Sequence, residues 1–88
     1  MKVTNMVSNN GNKVANQFRV YDDNGNTYFQ SYDSIIVMYD TEGNTQLDKT
    51  YWNYSRTTAK YRNQFLGETT NETQQKIDDG TYILTDLN

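Results

Sequence analysis

The 88-residue sequence predicts a small α+β domain. Two β-hairpins are expected to form an antiparallel sheet, with one main helix over about residues 56–66, a short second helix over about 70–79 and a C-terminal strand. Three observations predict it. Asn24-Gly25 and Glu42-Gly43 interrupt alternating apolar runs, as hairpin turns do. Residues 55–67 place apolar side chains at helical spacing between a capping Ser and a closing Gly. Twelve aromatics, eight of them Tyr, stand beside thirteen Val, Ile and Leu; disordered chains are poor in such rings.

The first hairpin spans residues 18–31, "FRVYDDNGNTYFQS". A two-residue turn on Asn24-Gly25 pairs Val20 with Phe29, Tyr21 with Tyr28 and Arg19 with Gln30. It places Phe18, Val20 and Phe29 on one face and Tyr21 and Tyr28 on the other. In the second hairpin "SIIVMYD" and "TQLDKTYW" flank the turn, and Glu42-Gly43 at its centre pairs Met38 with Leu47. The intervening "YDS" reads as a corner or a continued strand. Ser55 caps the main helix and Gly67 closes it. Thr58, Ala59, Tyr61, Phe65 and Leu66 fall on its buried side; Arg56, Lys60, Asn63 and Gln64 fall on the other. Thr69 and Glu72 have capping-box spacing for the second helix, which ends at Gly80. "GTYILTDLN" reads as a strand with Tyr82 and Leu84 on one side and Ile83 on the other. Residues 1–88 form a single domain whose first 13 residues are expected to fray, and no internal repeat is read.

Composition narrows the chemistry. There is no Cys, so neither disulfide nor thiolate chemistry is available, and no His to shuttle protons near neutrality. No apolar run is long enough for a membrane helix, and the N-terminus lacks a signal-peptide block; a cytoplasmic protein is expected. "DDNGN" at 22–26 fails the calcium-loop pattern, because Thr27 and Asp33 stand where Gly and Glu are required. No Ser has a base to activate it, and the turn carboxylates are solvated. The expectation is a protein with no catalytic residues, no metal and no cofactor.

Charge runs in blocks. Residues 1–21 and 49–67 carry only cations, and residues 22–48 carry only acids. The acidic hairpins suggest a protein-binding face in which Asp22, Asp23, Asp40 and Glu42 steer and Tyr21, Tyr28 and Tyr39 anchor. The alternative is a nucleic-acid-binding face on segment 51–62, where Tyr54 stacks bases and Arg56, Lys60 and Arg62 hold phosphates. Trp52 is expected in the core. A third expectation is a homodimer formed through a free sheet edge.

Four segments, "VANQF", "YFQSYDSII", "LDKTYWNYSRTTAKYRNQFLGE" and "GTYILTDLN", resemble a family of small uncharacterised proteins encoded by phages and integrative elements of Gram-positive bacteria. The most specific part is Tyr-Trp-x-Tyr-Ser-x-Thr-Thr-x-Lys-Tyr. The resemblance implies action in the cytoplasm of a host bacterial cell and carries no catalytic residues to transfer. By analogy with the lifestyle of such elements, the expected function is inhibition of a host defence complex, such as a CRISPR effector nuclease. The expected means is blocking a basic surface that handles nucleic acid. The alternative function is that of a nucleic-acid-binding accessory protein of a phage.

Overall fold

The computed structural model describes residues 1–88 as one six-stranded sheet with two helices on one face. The strands are β1 (Lys2–Val7), β2 (Lys13–Tyr21), β3 (Thr27–Ser31), β4 (Ser34–Tyr39), β5 (Thr45–Asp48) and β6 (Tyr82–Thr85). Helices α1 (Arg56–Leu66) and α2 (Thr70–Asp78) lie between β5 and β6. Spatial order follows chain order, and every neighbouring pair is antiparallel except β5 and β6. The parallel pairing has a plain cause. A parallel neighbour needs a long crossover, and the two helices supply it. The segment expected to fray supplies β1, and the two hairpins are one continuous meander joined by a tight turn at Tyr32-Asp33.

Three rows of side chains cross all six strands. Lys2, Tyr21, Thr27, Tyr39, Thr45 and Tyr82 form the first row, and Thr4, Arg19, Phe29, Val37, Leu47 and Leu84 the third. Between them runs the row Val3, Val20, Tyr28, Met38, Gln46 and Ile83, which the pleat turns to the opposite face. The first and third rows meet the helices. Phe65 of α1 stacks on Phe29 at 5.7 Å and on Tyr39 at 4.9 Å between ring centroids, and the Arg19 guanidinium lies 4.8 Å from its ring. Met6, Phe29, Ile36, Val37, Leu47, Tyr61, Phe65 and Tyr82 make the core. Full burial of an aliphatic or aromatic side chain contributes about 1.5–3 kcal/mol, so this short core carries most of the stability.

Both hairpins sit one residue away from the expected register. Val20 pairs with Tyr28 and Arg19 with Phe29; Val37 pairs with Leu47 and Met38 with Gln46. The expected two-residue turn needs positive φ at both central residues. Only Gly25 and Gly43 adopt it, at φ 90 and 84. Each turn instead has three residues, closed by a main-chain bond from Asp22 N to Asn26 O and from Asp40 N to Asn44 O. Because side chains alternate, the one-residue slip moves Phe29 to the helix face beside Tyr21, and leaves Phe18 and Val20 with Tyr28 on the other.

The helices follow their end signals. Ser55 accepts a hydrogen bond from Thr58 N, and Gly67 closes α1 in the left-handed region. Thr69 and Glu72 form the reciprocal capping box of α2. The α1 residues that the core buries are Thr58, Tyr61, Arg62 and Phe65, one stripe at i, i+3, i+4 and i+7. Trp52 is partly buried against the core, its ring beneath the Arg62 guanidinium.

Candidate protein-binding site

The β2–β3 and β4–β5 loops use one local design. In the first, the Asp22 carboxylate accepts hydrogen bonds from Asn24 N and Asn26 N, both at 2.9 Å, and from Asn26 Nδ2 at 3.0 Å. In the second, Asp40 accepts from Glu42 N and Asn44 N, both at 2.9 Å, and from Asn44 Nδ2 at 3.2 Å. An Asp that gathers the amides two and four residues ahead adds its side-chain bonds to the main-chain bonds that close the turn. The β1–β2 loop repeats the outline: Ser8 N donates to Asn12 O, and Gly11 N to Ser8 O. The sequence therefore does hold a short recurrence, Ser/Asp-x-x-Gly-Asn at 8–12, 22–26 and 40–44. It was legible as spacing, and it sets the hairpin register.

Two of these loops lie at the same end of the sheet and touch. A Cβ on Gly25 would stand 3.0 Å from Thr41 Cγ2. The α2–β6 connection reaches this end as well, because Tyr82 pairs with Thr45. Asp22, Asp23, Asp40, Glu42, Asp78 and Asp79 thus gather at one end, with the N-terminal amine, Lys2 and Lys76 as the nearby cations. Hydrogen bonds from the Asn26 side chain and then its backbone hold the Asp22 carboxyl down at about 2. Asp40 is lowered first by the Asn44 backbone amide, and Asp79 by Thr81. These loops stay charged and fixed in shape at neutral pH.

The predicted anchors are not brought together. Tyr21 is exposed on the helix side of the sheet. Tyr28 lies on the opposite face, and its hydroxyl donates to Asp22 Oδ2 at 2.9 Å. Tyr39 is half-buried, stacked on Phe65, with its hydroxyl donating to the Phe65 carbonyl at 3.5 Å. Its ring packs against the core. Of the acids, Asp23 and Glu42 are exposed, whereas Asp22 and Asp40 are bound into their own loops.

The aromatic and basic segment also divides. Tyr54, Arg56 and Lys60 are exposed, and Tyr51 meets Tyr54 edge-on at 5.4 Å. Arg62 does not join them: it is 0% exposed. Its Nη1 donates to Trp52 O at 2.6 Å and Asn53 Oδ1 at 3.0 Å, and its Nη2 donates to Asn63 Oδ1 and Thr70 Oγ1, both at 2.9 Å. Burial lowers its pKa, and the Glu68 charge works against that. The signal was present, since position 62 lies one turn after Thr58 on the apolar stripe.

Two further polar centres were not read from the sequence. Asp48 is 1% exposed; burial pushes its carboxyl up, but amides of Leu87, Tyr51 and Thr50 outweigh this and hold it low. Glu68 accepts from Thr73 Oγ1 at 2.6 Å and from Tyr82 OH and Lys76 Nζ, both at 2.7 Å. It ties the α1–α2 junction to β6. The structure has no pocket, and no group of acids is arranged to hold a metal ion. No helix is long and apolar enough to cross a membrane.

The architecture is that of an α+β protein with one helix layer, one open sheet face and its charged groups gathered in the connections at the sheet ends. The chain belongs to a family of unknown function (DUF8033), whose description matches residues 1–80. No curated protein and no solved structure matches it.

Proposed function

We propose that the protein is a non-enzymatic binder that inhibits a nucleic-acid-handling host defence complex, such as a CRISPR effector nuclease. Its acidic loop end docks on a basic surface of the target. The observation that carries this reading is the convergence of the β2–β3, β4–β5 and α2–β6 connections, with Asp22, Asp23, Asp40, Glu42, Asp78 and Asp79, at one end of the sheet. Loops stiffened by their own carboxylates lose little entropy on docking, and charges kept ionised steer a basic partner. The resemblance to small proteins of phages and integrative elements supports a defence complex as the target class, met in the host cytoplasm.

The test is target cleavage by a purified effector ribonucleoprotein, with and without the protein. Asp23 and Glu42 are the acids to reverse, because Asp22 and Asp40 are needed to shape their loops. D23K/E42K is expected to weaken inhibition at least tenfold, about 1.4 kcal/mol, and to flatten its salt dependence. Inhibition unchanged by that variant sinks the docking assignment.

The exposed Tyr51–Tyr54 pair beside Arg56 and Lys60 favours the second reading, a phage accessory protein that binds single-stranded nucleic acid. Gel shifts with single- and double-stranded DNA and RNA at low salt decide it. Any shift must vanish with R56E/K60E.

A further inference from the structure

The sheet face turned away from the helices is uncharged across its middle. Its complete row is Val3, Val20, Tyr28, Met38, Gln46 and Ile83, and the next is Asn5, Phe18, Gln30 and Ile35. Val3 is 56% and Ile83 53% exposed at its two margins. The polar groups in these rows are largely spoken for: Tyr28 OH donates to Asp22, Gln30 Nε2 to Tyr32 O, and Asn5 Nδ2 to Val14 O. Covering this face would therefore strand few polar atoms. We infer that the open face packs against the same face of a second copy of this chain, forming a two-sheet sandwich.

Three features select a second copy. The two rows hold no charged side chain, although the Asp22 carboxylate meets Tyr28 at one end and Asp48 follows Gln46 at the other, so the middle of the face offers nothing to discriminate a foreign partner by charge, whereas a two-fold axis matches it with itself. The shape is flat, 35 × 29 × 20 Å, so two copies can stack along the short dimension; a stable interface takes about 800 Å² per partner. The charge also has direction along the strands. The loops with Asp23 and Glu42 lie at one end, and exposed Lys13, Lys49 and Arg56 lie at the other with Asp33 and Asp86. An axis running across the strands inverts one copy on the other and brings each acidic end over the partner's more basic end. Sheets packed this way lie about 10 Å apart with their strands nearly aligned.

Sedimentation equilibrium tests this over roughly 1–200 µM, a range that resolves micromolar association. The expected species has twice the 10.3 kDa chain mass. V3E/I83E alters only exposed margins of the face and is expected to give a monomer with an unchanged circular dichroism spectrum. E42K and K49E should each weaken the dimer about two- to fivefold, as exposed charge pairs do, and the double swap should restore it. A wild-type monomer throughout the range overturns the inference. So does a dimer indifferent to V3E/I83E, which would point to edge pairing instead. V3E/I83E touches none of the acids of the proposed docking end, so either reading can fail without the other.

Discussion

Replacing Arg62 with Met is expected to destabilise the fold by about 3 kcal/mol, because the guanidinium holds three segments together at once. Its four hydrogen bonds reach the lead-in to α1 through Trp52 and Asn53, α1 itself through Asn63, and the start of α2 through Thr70. Charge-assisted bonds contribute about 1.5–3 kcal/mol each, but two effects reduce the total. Methionine carries no desolvation cost of a buried cation. Asn63 Nδ2 already donates to Thr70 Oγ1 at 3.2 Å, so that pair survives. The Trp52 carbonyl and the Asn53 amide oxygen are left without their donor, at about 1–3 kcal/mol for each group that stays buried. An 88-residue chain at about 0.05–0.15 kcal/mol per residue has only about 4–13 kcal/mol in total. For this size, about 3 kcal/mol lowers the Tm by roughly 12–24 °C. Thermal unfolding followed by circular dichroism and by fluorescence of Trp52, the single Trp, measures it. R62K retains the charge without the planar fork and should fall between wild type and R62M. A Tm within about 4 °C of wild type for R62M would refute the clamp.

Other expectations concern stability. Gln17 is 0% exposed, and neither its Nε2 nor its Oε1 has a protein partner, so Q17M should raise stability by about 1 kcal/mol, visible as a Tm increase of about 4–8 °C. E68A removes a side chain only 4% exposed and strands the hydroxyl of Tyr82, while the Thr73 hydroxyl keeps its bond to the Thr69 carbonyl at 3.2 Å. A loss of about 2 kcal/mol is expected in urea unfolding, with little of it from Lys76, which is itself 42% exposed. In acid, Asp22, Asp40, Asp48, Glu68 and Asp79 all have lowered carboxyl pKa values, so their contribution is complete above the unfolded values near 4. It is lost as pH falls through the folded ones, and the Tm should stay level down to about pH 5 and then drop toward pH 2. In base, burial and the bond to Glu68 push Tyr82 up to about 12, so stability is complete below its unfolded value of 10.0 and declines as pH rises through 12. A marked Tm change between pH 6 and 9, where the chain has no His to titrate, would contradict this reading.

Local chemistry was enough for some of this protein. Ser55 and Gly67 bound α1, and Thr69 with Glu72 starts α2, because a helix end is satisfied by residues within one turn of it. The hairpin positions follow from Gly25 and Gly43, the turn residues with positive φ. Register lay one step further out. It depends on whether an Asp side chain binds the turn amides, and the Ser/Asp-x-x-Gly-Asn spacing carries that information only when read together with its hydrogen bonds. Tertiary structure alone decided the rest. Arg62 and Arg56 are the same residue type on the same helix, yet one is buried over the Trp52 ring and the other is solvated, because packing selects a face and not a composition. The gathering of acids at one end and the uncharged row from Val3 to Ile83 likewise join residues far apart in sequence. Strand order and the parallel return of β6 create those neighbours, and the energy of a contact depends on distance in space.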